Sequence, residues 1–133
     1  MNAHDEELVQ AAKAVRARSY SPYSGFAVGA ALRGKSDRIY TGTNVENASY
    51  PLTVCAERAA VFKAVSEGER EFDSIAVVTS TGAAPCGACR QVLAEFGLDI
   101  RVVVANLNKR RKVYSISELL PYGFDVSQLA RES

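Results

Sequence analysis

The sequence predicts an α/β fold in which a five-stranded mixed sheet lies between helices in three layers. Short apolar segments alternate with helix-like segments along the 133 residues, a pattern typical of sheets covered by helices. The segment at residues 74–79 contains consecutive apolar residues, as expected of a strand buried on both faces. Only six residues separate the last two predicted strands, at 100–105 and 112–114. Because a parallel crossover needs a dozen or more residues, these strands should form an antiparallel hairpin.

The first half of the chain predicts two helices around a β-hairpin. Its predicted segments are a helix at residues 6–18, strands at 26–32 and 38–43, and a helix at 53–67. The first helix has apolar residues at helical spacing, and a turn rich in Ser, Pro and Gly at residues 21–25 ends it. In the second helix, Thr53 is the expected N-cap and Gly68 the expected stop.

The second half alternates between strand and helix. Its predicted segments are a strand at 74–79, a helix at 86–96, strands at 100–105 and 112–114, and a short helix at 117–120. Gly97 and Pro121 end the two helices. No repeat, low-complexity tract or linker interrupts residues 1–133, so we predict a single domain.

Charge and composition exclude several classes of protein. The chain has 16 Lys and Arg against 15 Asp and Glu, a net charge of +1, whereas proteins that bind phosphate backbones usually carry a strong basic excess. We therefore expect no nucleic-acid partner. The longest apolar run, residues 26–32, is too short to cross a bilayer, and the N-terminus lacks a secretory signal. We expect no membrane partner and a cytoplasmic location, where the cysteines stay reduced.

Three cysteines form a candidate metal site. Cys86 and Cys89 lie at i and i+3 at the start of a predicted helix, where free N–H groups stabilise thiolates. Cys55 also opens a helix after a loop, and two such helix starts can meet at one edge of a sheet. Three thiolates leave one tetrahedral position open, which is the arrangement of catalytic rather than structural zinc. Without Cys55, the other two could equally be a redox pair or core residues.

Two charged residues beside Cys55 complete the candidate site. In the first turn of a helix side chains lean toward the N-terminus, so Glu57 can reach over the open end beside the sulfurs. A carboxylate there can take a proton from water and return it to a substrate, and zinc makes hydroxide available near neutral pH. Zinc with three thiolates carries a net negative charge, which opposes ionisation of water. Arg58 or Arg90 can offset this charge, and we favour Arg58.

These motifs resemble those of the small, homotetrameric cytidine deaminases. The matching segments are residues 44–50 (NVENASY), 55–58 (CAER) and 85–92 (PCGACRQV), and the resemblance extends over residues 23–124. The order Cys-x-Glu and then Pro-Cys-x-x-Cys also meets the general signature of zinc nucleobase deaminases, with Cys replacing His as the first ligand. One difference is visible: many relatives have Ser where this chain has Ala84, so a side-chain contact would be lost there.

The resemblance implies an activity and a set of roles. The family hydrolyses cytidine and deoxycytidine to uridine and deoxyuridine with release of ammonia, for pyrimidine salvage. One zinc ion per chain would be bound by Cys55, Cys86 and Cys89, with Glu57 as the proton shuttle, in a homotetramer whose subunits share active sites. The implied substrate contacts are Asn44 and Glu46 to the ribose 3′-hydroxyl, the backbone of Ala56 to the pyrimidine carbonyl, Phe26 as a wall of the base pocket, and Phe124 stacked on a base in a neighbouring subunit.

Other interpretations remain open at this point. Asn44 and Glu46 could instead stabilise a turn, and Phe26 and Phe124 could be core residues. The same chemistry could act on an aminoglycosyl-nucleoside antibiotic or on RNA, although the near-neutral charge opposes RNA. A zinc-binding module without catalysis would need a fourth protein ligand and would leave Glu57 unexplained.

Two further features are interpreted without a role in catalysis. The basic residues 109–112 fall in the predicted hairpin turn, where a solvated turn is favoured over a site for an anionic partner. His4 is the only histidine in the chain. It lies in an N-terminus expected to fray, so we expect no imidazole in the mechanism.

Overall fold

The computed structural model of the chain describes residues 1–129 and contains one five-stranded sheet. Its strands are β1 (Gly29–Gly34), β2 (Ile39–Thr43), β3 (Phe72–Val78), β4 (Arg101–Ala105) and β5 (Arg111–Ser115). Its α-helices are α1 (Ala3–Arg16), α2 (Ala56–Ser66), α3 (Gly87–Ala94) and α4 (Ile116–Leu119), with 3-10 turns at Tyr50–Leu52 and Val126–Gln128. The strand order is β2-β1-β3-β4-β5. Strands β3 and β4 pair in parallel and the other neighbours are antiparallel, which confirms the mixed sheet and its final hairpin.

Apolar side chains cover both faces of the sheet. On one face, α1 packs through Leu8, Val9 and Ala12 against Ala31, Ala76 and Val103. On the other face, Val61 of α2, Leu93 of α3 and Ile116 of α4 pack with Leu32, Ile75 and Val102. Burial of each such large aliphatic side chain contributes about 1.5–3 kcal/mol. The three predicted layers are therefore present, with one helix on one side of the sheet and three on the other.

The first helix begins earlier than predicted because its N-terminus is capped. The side chain of Asn2 accepts a hydrogen bond from the Asp5 N–H at 2.9 Å, and the Asp5 carboxylate accepts one from the Asn2 N–H at 3.1 Å. This reciprocal capping box satisfies free N–H groups of the first turn. The expectation of a frayed N-terminus is therefore wrong, and His4 lies exposed within α1. The helix also ends at Arg16 rather than residue 18.

The first strand begins three residues later than predicted, at Gly29. A side chain takes the place of a neighbouring strand before that point: Asn44 accepts a hydrogen bond from the Val28 N–H at 3.0 Å and donates one to the Phe26 carbonyl at 2.8 Å. Residues 26–28 are thus held away from the ladder and close to the site described below. At Gly29, a Cβ atom would lie 2.0 Å from the Ala12 carbonyl oxygen. Helix α1 can therefore approach β1 this closely only because residue 29 is glycine.

The predicted N-cap of the second helix is wrong. Cys55 is the N-cap of α2, while Thr53 accepts a hydrogen bond from the Asn47 N–H at 3.2 Å and so stabilises the preceding loop. Boundaries elsewhere shift by one or two residues. Helix α4 begins at Ile116 because Ser115 and Glu118 form a second capping box.

The basic segment 109–112 lies partly in the turn between β4 and β5, as predicted, and partly in β5, which begins at Arg111. Lys109, Arg110 and Lys112 face solvent, whereas Arg111 forms an ion pair with Glu6 at 3.1 Å. Within residues 1–129, none of the helices has both the length and the apolar content to cross a membrane.

Candidate active site

Three cysteine sulfurs meet where α2 and α3 begin. Cys55 is the N-cap of α2, Cys86 is the N-cap of α3, and Cys89 lies in the first turn of α3. The Sγ atoms of Cys55 and Cys86 are 3.8 Å apart, those of Cys86 and Cys89 are 3.3 Å apart, and all three lie within 4.8 Å of one another. Ligands at 2.3 Å from a tetrahedral ion would be about 3.8 Å apart. The three thiols therefore fit a zinc ion.

The cluster has three protein donors. In the part of the chain that the structure describes, no other Cys, His, Asp or Glu belongs to this group. A closed structural zinc site has four protein ligands, whereas catalytic sites retain a free position. The donor set therefore matches a catalytic site and not a purely structural module.

Positive charge surrounds the sulfurs. Neither N-cap cysteine forms a side-chain capping hydrogen bond, so the free N–H groups and dipoles of two helix starts face the cluster. The Arg58 guanidinium donates to Cys55 Sγ at 3.4 Å and to the Thr53 carbonyl at 3.5 Å. Hydrogen bonds from Cys89 and Arg58 lower the pKa of Cys55 to about 5, and the pKa of Cys89 is raised because its proton is shared with Cys55.

Glu57 is a buried carboxyl group beside this cluster. It lies in the first turn of α2 and is only 4% exposed. Burial raises its pKa above the usual value for Glu, and the negative charge of Cys55 adds to this effect. A carboxyl group with a raised pKa holds a proton more readily than an ordinary Glu, which suits a general acid–base catalyst that must keep a proton it has accepted and then donate it.

A cavity of about 200 Å³ opens beside the cysteines. It is lined by Cys55, Glu57 and Cys86 and by Phe26, Val28, Asn44, Ala56, Val77, Thr79, Ala83 and Ala84. Pockets for drug-sized ligands are typically about 300–1,000 Å³, so the enclosed part of this cavity suits a single ring. Its wall is mostly apolar, with a carboxyl group and sulfur on one side.

Asn44 lines the cavity and holds residues 26–28 in place through hydrogen bonds to their backbone. It is 7% exposed. Its Oδ1 accepts hydrogen bonds from Ser19 Oγ and from the Val28 N–H, and its Nδ2 donates to the Phe26 carbonyl. Within residues 1–129 this is the one bond that Nδ2 donates, which leaves its second hydrogen for another acceptor. Asn44 therefore positions Phe26, which is 37% exposed, and retains one donor of its own.

Glu46 is on the same side of the chain as Asn44 but lies outside the cavity lining. Val45 between them is extended and forms bridges to Tyr20 and Val54, so the two polar side chains point the same way. The Glu46 carboxylate accepts hydrogen bonds from the N–H groups of Tyr23 and Ser24, both at 3.0 Å, and from the Ser24 hydroxyl. These bonds, the Ser24 hydroxyl foremost, hold the pKa of Glu46 below its usual value.

Phe124 is not part of the cavity within one chain. It is 57% exposed and lies in the turn that follows α4. The structure thus brings Phe26, Asn44 and Ala56 to the cavity with the cysteines and Glu57, but it places Phe124 on a separate surface.

Thr79 supports the site and was not predicted from the sequence. Its side chain is almost fully buried, and its hydroxyl accepts hydrogen bonds from the N–H groups of Gly82 and Ala83, both at 2.9 Å. It therefore holds the loop that lines one side of the cavity. A Thr placed three residues before a turn glycine is the available signal, since hydroxyls commonly form such turns.

Arg90 does not contact a sulfur in this arrangement. It donates to the carbonyls of Pro85 at 2.8 Å and Leu119 at 2.9 Å. Of the two arginines considered from the sequence, Arg58 is therefore the one that contacts the cluster.

A larger depression of about 330 Å³ lies at the opposite end of the sheet. Its charged groups already pair with one another: Arg33 with Glu7 and Asp37, and Arg101 with Asp5. None of the cysteines lines it. Its size alone gives it no chemistry, so the smaller cavity is the candidate active site.

The chain matches known proteins over nearly its whole length. Residues 2–106 match the family model of the cytidine and deoxycytidylate deaminase zinc-binding region. The chain is 45% identical over 128 residues to a cytidine deaminase of Sporosarcina psychrophila, covering 94% of each chain. It is 48% identical over 125 residues to that of Halalkalibacterium halodurans, covering 92% of this chain and 95% of the other.

Solved structures agree with the sequence matches. The crystal structure of cytidine deaminase from Burkholderia pseudomallei superposes with a TM-score of 0.88 at 48% identity, covering 93% of this chain and 100% of that one. The family match spans all three cysteines and Glu57.

Proposed function

The chain belongs to the cytidine and deoxycytidylate deaminase family, and we propose how its own residues carry out the reaction. It is a zinc-dependent enzyme that hydrolyses cytidine to uridine with release of ammonia. The observation that carries this conclusion is the set of three sulfurs beside a buried carboxyl group in a cavity of single-ring size. When bound, zinc supplies a Lewis acid that makes hydroxide available near neutral pH.

Glu57 is the proton shuttle in this proposal. Hydrolysis adds water to the ring carbon that carries the amino group, and the amino group must gain a proton to leave as ammonia. Glu57 accepts one proton from the attacking water and passes it to the ring nitrogen beside the reacting carbon. The remaining proton, on the added hydroxyl, moves to the amino group as the C–N bond breaks and the carbonyl forms, so that water supplies both hydrogens gained by the products. Burial supports this role because it raises the pKa of the carboxyl group and so favours the protonated form that Glu57 takes between accepting and returning the proton. Such a shuttle typically accelerates a reaction by about 10²–10⁴-fold.

Arg58 balances the charge of the ligand set. Three thiolates with one divalent cation leave a net negative charge, which opposes removal of a proton from water. The hydrogen bond from Arg58 to Cys55 draws charge from that sulfur. We propose that Arg58 thereby raises turnover, while the three cysteines suffice to hold the metal.

In this proposal, Asn44 and Glu46 bind the ribose through hydrogen bonds that they do not make within the chain. The remaining Nδ2 hydrogen of Asn44 can be donated to the 3′-hydroxyl. That hydroxyl can in turn donate a hydrogen bond to Glu46 Oε2, the oxygen that accepts from the Ser24 hydroxyl. The 3′-hydroxyl is present in cytidine and in 2′-deoxycytidine. We therefore propose that both nucleosides are substrates, the second yielding 2′-deoxyuridine.

The base is bound by backbone and by an aromatic wall. Helix α2 begins at Ala56, so the Ala56 N–H has no partner within the helix and can donate to the pyrimidine carbonyl. Phe26 lies on the cavity wall and offers a face for the ring. Ala84 also lines the cavity, and its backbone carbonyl remains available where relatives carry a serine side chain.

We propose that the enzyme is a homotetramer whose subunits share active sites. Large apolar side chains are unusually exposed on the single chain: Tyr20, Tyr50, Leu52 and Phe62 are each at least half exposed, as is Phe124. Contact with neighbouring subunits would bury such side chains, which supports an assembly of this kind. Phe124 would then stack on a base bound in a neighbouring subunit. The three free thiols support a reducing, cytoplasmic setting, in which the reaction would serve pyrimidine salvage.

Ultraviolet absorbance tests this assignment directly. Zinc-loaded enzyme is offered cytidine, 2′-deoxycytidine, cytosine, cytidine monophosphate and an aminoglycosyl-cytosine nucleoside, and the conversion of the base is followed. We expect rapid turnover of the first two and little of the others. Efficient use of free cytosine would overturn the ribose contacts, and preference for the aminoglycosyl nucleoside would overturn the proposed substrate class.

A further inference from the structure

Two consecutive side chains of α3 hold both ends of the turn that carries Phe124. Arg90 Nη1 donates to the Leu119 carbonyl at 2.9 Å, and Gln91 Nε2 donates to the Phe124 carbonyl at 2.8 Å. The turn at residues 119–124 is therefore tied to the helix that also carries Cys89.

This turn has few hydrogen bonds of its own. Among the described residues, the segment 121–124 makes no backbone–backbone hydrogen bond. Tyr122 has a φ of 56°, in the left-handed region that non-glycine residues rarely adopt, and a Cβ atom on Gly123 would lie 2.6 Å from Leu120 Cδ2. The path of the chain at Phe124 thus depends on contacts from outside the turn. The hydrogen bond from Gln91 is the contact made at Phe124 itself.

We propose that Gln91 is a positioning residue for Phe124, so that one subunit's α3 sets the aromatic face offered to its neighbour's substrate. The inference rests on the proposed function, because it requires Phe124 to contact a base bound in a neighbouring subunit. Gln91 itself lies outside the cavity beside the cysteines. Its effect on catalysis therefore passes through the Phe124 backbone.

Helix α3 links this contact to the metal site. Arg90 Nε donates to the Pro85 carbonyl at 2.8 Å, directly before the ligand Cys86. One short helix thus holds the cysteine loop of its own subunit and, through Gln91, the aromatic contact to the next. Loss of the Gln91 bond should therefore disturb the aromatic contact to the next subunit and leave the cysteine loop unchanged.

The test uses Gln91→Leu, which keeps the side-chain volume but removes the donor. Since one neutral hydrogen bond contributes about 0.5–1.5 kcal/mol, we expect KM for cytidine to rise about 2- to 13-fold. We expect kcat to change less than about twofold, with zinc content and oligomeric state unchanged. Gln10→Leu, on the exposed face of α1, is the matched control and should leave KM unchanged. Gln91→Glu serves as a second variant, since a carboxylate cannot donate to the carbonyl and should raise KM as well.

A double-mutant cycle separates this inference from the proposed function. If Gln91 acts through Phe124, the KM of Gln91→Leu with Phe124→Ala will equal that of Phe124→Ala alone. Additive effects, or a fall in zinc content with Gln91→Leu, would overturn the positioning role while leaving the Phe124 contact in place. An unchanged KM for Phe124→Ala alone would overturn the contact itself and the inference with it.

Discussion

Arg58 donates a hydrogen bond to the sulfur of Cys55, with Nη2 and Sγ 3.4 Å apart. The two residues are three positions apart, so the first turn of α2 brings the guanidinium back over the N-cap. The Arg58 Nε is buried and has no hydrogen-bond partner in the described residues. The same Nη2 also donates to the Thr53 carbonyl, two residues before Cys55, so the guanidinium charge acts beside the Cys55 sulfur.

Replacing Arg58 with Gln should lower turnover more than zinc content. A hydrogen bond to a charged group is worth about 1.5–3 kcal/mol, so kcat should fall about 10- to 150-fold. Zinc should stay near one ion per chain by elemental analysis, because the three thiolates remain. Lys63→Gln removes a positive charge from an exposed position on the same helix and should leave kcat unchanged. Loss of the metal in the Arg58 variant would show that Arg58 is structural.

The lowered pKa of Cys55 should appear once the metal is removed. With a pKa of about 5, Cys55 remains a thiolate from pH 6 to 8, whereas an ordinary thiol, with a pKa near 8.5, loses about tenfold in thiolate for each unit of falling pH. Alkylation of Cys55 in the chelated protein, measured by peptide mapping, should therefore be nearly independent of pH in this range. Zinc should protect the residue. A tenfold fall in rate per pH unit would contradict the thiolate assignment.

Glu57→Gln should retain zinc and fold while losing nearly all turnover. The substitution preserves shape but cannot accept a proton, so we expect a loss of about 10²–10⁴-fold in kcat. Tm should not fall, because an amide tolerates this burial better than a carboxylate. The exposed Glu71→Gln is a matched control that should change neither quantity. Turnover within a few-fold of the parent enzyme would remove Glu57 from the mechanism.

Periodicity and loop length were enough to predict the three layers, the mixed sheet and the final hairpin, because burial of apolar faces decides these features. Helix and strand boundaries were less accurate wherever a side chain replaced backbone pairing. The Asn2–Asp5 capping box extended α1, and Asn44 delayed the start of β1. Both involve polar residues, for which hydrophobic periodicity carries no signal.

At the site, sequence spacing was sufficient to predict which residues lie together when they are close in the sequence. It was insufficient for residues that are far apart in the sequence. Cys86 and Cys89 are one helical turn apart, so their proximity follows from helix geometry. The contact between Cys55 and Cys86 bridges 31 positions and depends on which helix starts share an edge of the sheet. Supporting contacts such as those of Thr79 and Gln91 end on backbone atoms, and backbone partners have no residue identity to recognise in a sequence.

Glu46→Gln should destabilise the protein at neutral pH but not in acid. The folded state holds the pKa of Glu46 below its usual value, so the carboxylate stabilises the fold above the unfolded pKa. This contribution disappears as pH falls through the lowered folded-state pKa. The Tm difference from the parent enzyme should therefore be largest near pH 7, begin to shrink below the ordinary Glu pKa of roughly 4.3, and vanish only at a pH below the lowered folded-state pKa. Glu95→Gln, at an exposed position, should show no such trend, and a difference that persists in acid would contradict the role of the charge.

Phe124→Ala should weaken substrate binding although the residue is exposed and distant from its own chain's cavity. Stacking between an aromatic side chain and a base is worth about 1–3 kcal/mol, so KM for cytidine should rise about 5- to 150-fold. Phe124→Tyr keeps the ring and should restore most of the affinity, while Leu129→Ala removes a nearby exposed apolar side chain and should have little effect. Since the proposed contact joins two subunits, we expect dilution to monomers to produce the same loss in the parent enzyme. A monomer that retains the full affinity would show that the substrate pocket is complete within one chain.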